Sequence, residues 1–286
     1  MPQSTYDLTL PRRRLSGVVF ASPHSGHCYS DAFLRQTALE RPAIRSSEDA
    51  FVDQLFDCAP EFGAPLLCAK MPRAYVDLNR SADELDPALI DGAVRRGQNP
   101  RVASGLGVIP RVVANGRAIY SGKLPMSEAQ KRIDSCWRPY HRALQGLLEQ
   151  AHLDFGQAIL VDCHSMPHEA MEGVKPGSRR YPEIVLGDRF GAAAGAEIVD
   201  RIEAAFSAAG LVVIRNAPFA GAYITQAYGR PSRRQHAVQV EIDRSIYMDE
   251  KRIRPNANFD ALRNVLRGVI AEIASIGQQQ MPLAAE

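Results

Sequence analysis

Two short apolar runs each lead into a histidine. Gly17-Val18-Val19-Phe20-Ala21-Ser22 passes through Pro23 to His24, and Ala158-Ile159-Leu160-Val161-Asp162-Cys163 ends directly at His164. Runs of this length and apolarity read as strands buried on both faces, which restricts the chain to a sheet covered by helices on both sides. In an open α/β sheet, chemistry collects in the crevice beyond the carboxyl ends of the strands. Two imidazoles delivered there from segments 140 residues apart can share one metal ion, and only a fold can bring them together.

The 286 residues suffice for one large α/β domain, and no break in composition marks a second, so residues 1–286 are read as one catalytic domain. Hydrophobic content of 45% and charged content of 23% are those of an ordinary globular protein. A net charge of +2 gives no reason to expect nucleic acid or a membrane surface as partner. No run approaches the length of a membrane span, and no apolar run of signal-peptide length follows the basic residues near the start. The five cysteines include no Cys-x-x-Cys pair, which argues against a disulfide framework or a thiolate zinc site. A reducing, cytoplasmic setting is expected. Cys163 precedes His164 on the same strand, so its side chain is expected on the opposite face as a small buried apolar group.

The pattern predicts strands over 18–22, 65–69, 74–78, 158–163, 183–186, 211–214 and 236–242. It predicts helices over 48–59 (capped by Ser46 or Ser47), 127–151 (capped by Ser127), 190–209 (ended by Gly210) and 260–276. Residues 81–115 read as a long irregular excursion, 167–182 as a mobile loop beside the site, and 218–231 as another loop. The fold class expected is α/β: a mixed, mostly parallel twisted sheet flanked by helices.

A hydrolytic zinc site takes about three protein ligands and keeps one position open. His24 and His164 supply two. The third is expected from Glu48 or Asp49, where a helix N-terminus would favour negative charge. His27 is read as a solvated loop residue. The strand His236-Ala237-Val238-Gln239-Val240-Glu241-Ile242-Asp243 alternates apolar and polar positions, which puts Glu241 on a polar face of an otherwise buried strand. A buried carboxylate is costly unless it is paired or has work to do. Glu241 is therefore either the partner of Arg80 or Arg244, or a general base toward the attacking water. Asn79 and Arg80 stand side by side, and guanidinium matches a carboxylate in a planar two-point contact.

Together these segments resemble the N-formylglutamate amidohydrolase family. The resemblance runs through Pro23-His24-Ser25-Gly26, Glu48-Asp49, Val76-Asp77-Leu78-Asn79-Arg80, Asp162-Cys163-His164-Ser165-Met166-Pro167, Asn216-Ala217-Pro218-Phe219-Ala220-Gly221 and residues 235–248, in order over roughly residues 15 to 275. It implies a zinc carboxypeptidase-like α/β hydrolase related to aspartoacylases, acting on a small-molecule N-acyl amino acid. The reaction implied is N-formyl-L-glutamate plus water to L-glutamate plus formate, a step of histidine breakdown. It further implies one zinc ion on His24, Asp49 and His164 (Glu48 being the alternative acid), Glu241 as general base, and Asn79 and Arg80 on the substrate α-carboxylate. Arg244 or Arg234 is expected to read a second carboxylate, with Tyr223 and Thr225 lining the pocket. The chain departs from the family's usual pattern in two places. It carries Glu48-Asp49 where an Asp-Trp pair is typical, and Ala220 and Ala222 where a denser glycine run is common. Both departures bear on which acyl amino acid fits. Hydrolysis of another N-acyl amino acid or a small peptide, and a non-catalytic binding protein, are the competing expectations.

Overall fold

The computed structural model describes residues 4–94, 97, 99–173 and 181–278. Its centre is a seven-stranded mixed sheet. The strands are β1 (Tyr6–Thr9), β2 (Val18–Ser22), β3 (Leu66–Ala69), β4 (Ala158–Met166), β5 (Ile184–Gly187), β6 (Val213–Arg215) and β7 (Gln235–Asp243). They lie in the order β1-β3-β2-β4-β7-β5-β6. The central run β3-β2-β4-β7 is parallel, β1 and β5 pair antiparallel with β3 and β7, and β6 runs parallel to β5. The α/β class and the mostly parallel sheet read from the sequence are what the chain adopts.

Helices cover both faces. The ones that matter here are α1 (Val52–Leu55), α2 (Met126–Arg132), α3 (Arg138–Phe155), α4 (Ala196–Ala208), α5 (Tyr223–Tyr228) and α6 (Phe259–Ile276). Alternate residues of each strand feed two separate cores. Phe20, Ile159, Val161, Cys163, Val238, Val240 and Ile242 pack with α1, α4 and α6. Val19, Ala21, Ala158, Leu160 and Ala237 pack with α2 and α3 on the other face. Cys163 lies opposite His164, as period-two alternation requires.

Several predicted elements differ from those observed, each for a local reason. The helix expected over 48–59 shrinks to the single turn α1. Asp49 N–H donates to the His24 carbonyl at 3.0 Å, and Phe51 takes a left-handed φ of 68°, so helical geometry starts only at Val52. Neither serine caps it; the Ser46 hydroxyl donates instead to the Ala43 carbonyl. No strand forms over 74–78. The chain turns after Pro72, and the Asp77 carboxylate accepts the Asn79 N–H at 2.8 Å. The helix expected over 127–151 begins at Met126 without a Ser127 cap and is broken by a π-helical turn over Ile133–Trp137. Pro139 has no N–H to give, and the Ser135 carbonyl four residues earlier accepts the Thr5 hydroxyl. Helix α4 starts six residues later than expected, because Arg189, Phe190 and Gly191 all have positive φ. The loop expected over 218–231 contains α5. The part of the 167–182 loop at 174–180 lies outside the described residues; before it, Glu169–Glu172 form a helical turn.

Candidate metal and catalytic site

Toward the carboxyl ends of β2, β4 and β7 the second face of the sheet changes character. Where an apolar strand would carry more core, Asp162, His164, Gln239 and Glu241 point the same way. The register pairs Asp162 with Gln239 and His164 with Glu241. All four are buried. His24 joins them from the turn after β2. Gly26 makes that turn possible: a Cβ there would stand 2.1 Å from the Met71 carbonyl oxygen.

His24, Asp49 and His164 present ligand atoms within 4.8 Å of one another. Asp49 Oδ2 is 2.8 Å from His164 Nδ1 and 3.5 Å from His24 Nδ1. Donors arranged around one tetrahedral metal ion stand roughly 3.3 Å from each other, so the spacing of this group suits a metal ion. His24 Nδ1 is also a buried atom with no hydrogen-bond partner among the described residues. A buried nitrogen of this kind beside a carboxylate oxygen has the lone pairs to take a cation. The remaining atoms are fixed from behind. His24 Nε2 is 2.7 Å from Asp77 Oδ1, and Arg73 Nε donates to Asp77 Oδ2 at 2.9 Å. Arg244 donates to Asp49 Oδ1 at 2.8 Å and to Ser165 Oγ at 3.1 Å. Asp49 therefore turns one oxygen to the imidazoles and the other to a guanidinium. Burial opposes its ionisation, but the His164 and His24 bonds outweigh burial and hold the carboxyl well below the usual carboxylate range.

The alternative acid is elsewhere. Glu48 is buried, but its carboxylate is held two-pronged by Arg45, at 3.0 and 2.9 Å, and it lies outside the group formed by His24, Asp49 and His164. His27 is exposed and lies outside the group.

Glu241 has neither Arg80 nor Arg244 as a hydrogen-bonding partner; it accepts from Gln239 Nε2 at 2.8 Å. Gln239 is oriented in turn by the Ala222 N–H, which donates to its Oε1 at 3.1 Å. Burial pushes the Glu241 carboxyl up to about 7; the Asp49 charge adds to this, while His164, Arg73 and Arg244 oppose it.

A cavity of about 400 Å³ opens over these groups, bounded by His24, Asp49, His164, Glu241, Arg73, Arg80, Arg101, Arg244 and the Pro218–Ala222 segment. Arg80 keeps part of its fork free: Nε and Nη1 donate to the Leu106 and Asn79 carbonyls. Asn79 is engaged differently from the sequence expectation. Its Oδ1 accepts the Ile224 N–H at 2.7 Å and its Nδ2 lies 3.1 Å from His164 Nε2, so its amide braces the imidazole. Thr225 does not line the cavity: it is fully buried, and its hydroxyl donates to the Ala222 carbonyl. Gly221, with φ 108°, brings the chain so close that a Cβ would stand 2.5 Å from that hydroxyl. Tyr223 packs against Trp137 and His141 and borders a neighbouring hollow instead. Arg234 lies at the opposite end of β7, where its carbonyl accepts the Ala158 N–H.

Sequence reasoning missed Asp77, Asp162, Gln239 and Arg101 as members of the site. Gln239 carried a signal, since it shares the polar face of β7 with Glu241. Asp162 carried the same signal two residues before His164. Asp77 sits in an irregular segment and Arg101 in the single helical turn Pro100–Ala103, and neither has a periodicity to place it.

A buried acid with a pKa near neutrality, beside a group able to hold a metal ion and in a cavity ringed by guanidinium groups, is the layout of a hydrolase that activates water. The N-formylglutamate amidohydrolase pattern matches residues 16–248. The chain is 33% identical over 263 residues to the N-formylglutamate deformylase of Pseudomonas aeruginosa, covering 90% of each, and 32% identical over 240 residues to that of Pseudomonas putida, covering 82% of each. The crystal structure of N-formylglutamate amidohydrolase from Ralstonia eutropha JMP134 superposes with a TM-score of 0.89 at 35% identity, covering 96% of this chain and 98% of that one. The gene product Atu2144 from Agrobacterium tumefaciens shares the fold at a TM-score of 0.65 and 16% identity, over 96% of each chain. The chain belongs to the N-formylglutamate amidohydrolase family, and it is an amidohydrolase. No helix among the described residues is long and apolar enough to cross a membrane.

Proposed function

We propose that this chain, as one catalytic domain, hydrolyses the amide bond of an N-acyl amino acid, with N-formyl-L-glutamate the foremost substrate. Products are L-glutamate and formate, and the step belongs to cytoplasmic histidine breakdown. His24 Nδ1, Asp49 Oδ2 and His164 Nδ1 would hold a zinc ion; two imidazoles and a carboxylate suit zinc among common divalent ions. Bound there, zinc would supply a water of lowered pKa and a Lewis-acid contact to the scissile carbonyl.

The remaining steps fall to the chain's own side chains. Glu241 takes the proton of the attacking water while Gln239 fixes one of its oxygens. The water oxygen bonds to the acyl carbon, the carbon–nitrogen bond breaks, and the proton passes from Glu241 to the leaving nitrogen. Burial raises the basicity of the Glu241 carboxylate above that of an exposed one, which suits it to take the proton and return it. Arg80 and Arg244 hold the two carboxylates of the amino acid, and Arg73 and Arg101 add to the positive wall. The observation that carries this reading is the register pair His164–Glu241, which sets a buried acid beside the ligand group on one cavity wall.

The test is formate release from N-formylglutamate by purified protein of measured zinc content, compared with N-acetyl- and N-succinyl-glutamate. Preference for the formyl compound with about one zinc per chain supports the reading. A second reading, hydrolysis of a different N-acyl amino acid, is favoured by Ala220 and Ala222, which line the cavity where a denser glycine run is common in the family; turnover of another acyl compound above the formyl one would establish it. Absence of both zinc and turnover would leave a small-molecule binding protein.

A further inference from the structure

Asp162 is a buried acid that the proposed reaction does not use. It is fully buried on β4, and both of its carboxylate oxygens lack a hydrogen-bond partner among the described residues. A carboxylate left so is costly, and a native chain keeps one only where another state satisfies it.

The state is found by following His164. Its Nδ1 is the atom turned to Asp49 and to the ion position, so a cation there takes the Nδ1 lone pair, and the ring's hydrogen must sit on Nε2. Two side chains reach Nε2. Asn79 Nδ2 stands 3.1 Å away, and Asp162 Oδ2 also stands 3.1 Å away. The orientation of the Asn79 amide is fixed, because its Oδ1 accepts the Ile224 N–H at 2.7 Å. Its Nδ2 is therefore a donor. It can bond a bare Nε2 but cannot accept from an Nε2–H. Asp162 can accept, and its oxygen is within reach but off the direction a good hydrogen bond requires, since it counts as unbonded in the present ring orientation.

We propose that Asp162 is the positioning residue for His164 in the metal-loaded site. On loading, the imidazole turns its Nε2–H from Asn79 to Asp162, and the Asn79 amide is released toward the cavity. His24 already has its equivalent support in Asp77, at 2.7 Å. The two imidazoles thus differ: one keeps the same carboxylate behind it throughout, the other exchanges Asn79 for Asp162 when an ion arrives. This inference rests on the ligand set given under Proposed function.

The experiment measures zinc affinity of the full chain by chelator competition for the wild type, Asp162→Asn, Asp162→Leu and Asn79→Ala. Asp162→Asn keeps an acceptor and should weaken binding about 10-fold; Asp162→Leu removes it and should weaken binding about 100-fold, the range seen when such outer partners are lost. Asn79→Ala should stay within about 3-fold of wild type, because its bond to Nε2 belongs to the metal-free ring. Equal affinity for all three position-162 forms, or a loss in Asn79→Ala as large as in Asp162→Leu, would overturn the inference. Should a position-162 variant fail to fold, the zinc-loaded wild type decides in crystals. Nε2 in line with an Asp162 oxygen supports the inference, and Nε2 still directed at Asn79 overturns it. Failure of the wild type itself to bind zinc would instead refute the ligand set.

Discussion

The two faces of β4 and β7 make the most instructive comparison in the molecule. The same two strands, in the same register, carry Val161, Cys163, Val240 and Ile242 on one side and Asp162, His164, Gln239 and Glu241 on the other. The first face is satisfied by contact alone: any close-packed apolar neighbours will do, and α4 and α6 supply them. The second needs specific partners with specific directions, and apart from the Gln239–Glu241 bond most of them come from outside the strands. They arrive on irregular chain, as His24 and Asp49 from turns, Asp77 and Asn79 from the stretch after Pro72, and Arg244 from just beyond β7. Even then His24 Nδ1 and Asp162 stay unbonded. One face stores stability, and the other stores unspent hydrogen-bonding capacity that a cation and a substrate can use.

Breaking the second face at its hub gives the largest effect. Asp49→Ala should abolish metal binding and turnover. It also strands the Arg244 guanidinium, which is buried, so unfolding by urea should show a loss of about 3–5 kcal/mol. Retained zinc in this variant would remove Asp49 from the ligand set. Glu241→Gln leaves the shape and the Gln239 neighbour in place. Its kcat should fall roughly 10²- to 10⁴-fold with zinc content unchanged. Near-normal turnover would end the general-base assignment.

The adjacent residue sharpens the contrast from the other side. Ile242→Ala removes buried apolar volume on the first face and should cost about 2–5 kcal/mol in denaturation, while kcat of the folded protein stays within about 2-fold. A large loss of kcat at full folding would mean the two faces are not independent.

The smallest effect is a slope. In the metal-free protein the Glu241 carboxyl holds its proton to about pH 7, above the ordinary 4.5. Between these values the folded state keeps a proton that the unfolded chain has released, so this group makes stability fall as pH rises from about 4.5 to 7. Glu241→Gln should lack that contribution, and the difference between the two Tm-against-pH curves should grow across the window. Parallel curves would show that Glu241 ionises normally.

The same contrast explains what the sequence made legible. Period-two alternation and unbroken apolar runs are strong signals, so the sheet, the opposite placement of Cys163 and the polar position of Glu241 could all be read. The two histidines were legible because each follows a buried strand at the end where sites form. Asp49 could be narrowed only to a pair, since nothing in the sequence says that Arg45 claims Glu48. The turn chain was harder. The 48–59 helix was overextended because apolar spacing cannot show Asp49 folding back onto His24. Thr225 was expected in the pocket because a polar residue on a glycine-rich loop looks exposed, whereas the six-residue helix α5 buries it. Asp77 depends on a long-range contact with His24, and Arg101 stands on a helical turn too short to leave a periodic trace.

The most direct test is anomalous scattering at the zinc edge from crystals of zinc-loaded protein. A single strong peak touching His24 Nδ1, Asp49 Oδ2 and His164 Nδ1, with Glu241 facing its open side, is the expected result. A zinc ion held by other side chains, or no peak between residues 24, 49 and 164 in protein that hydrolyses N-formylglutamate, would contradict the account.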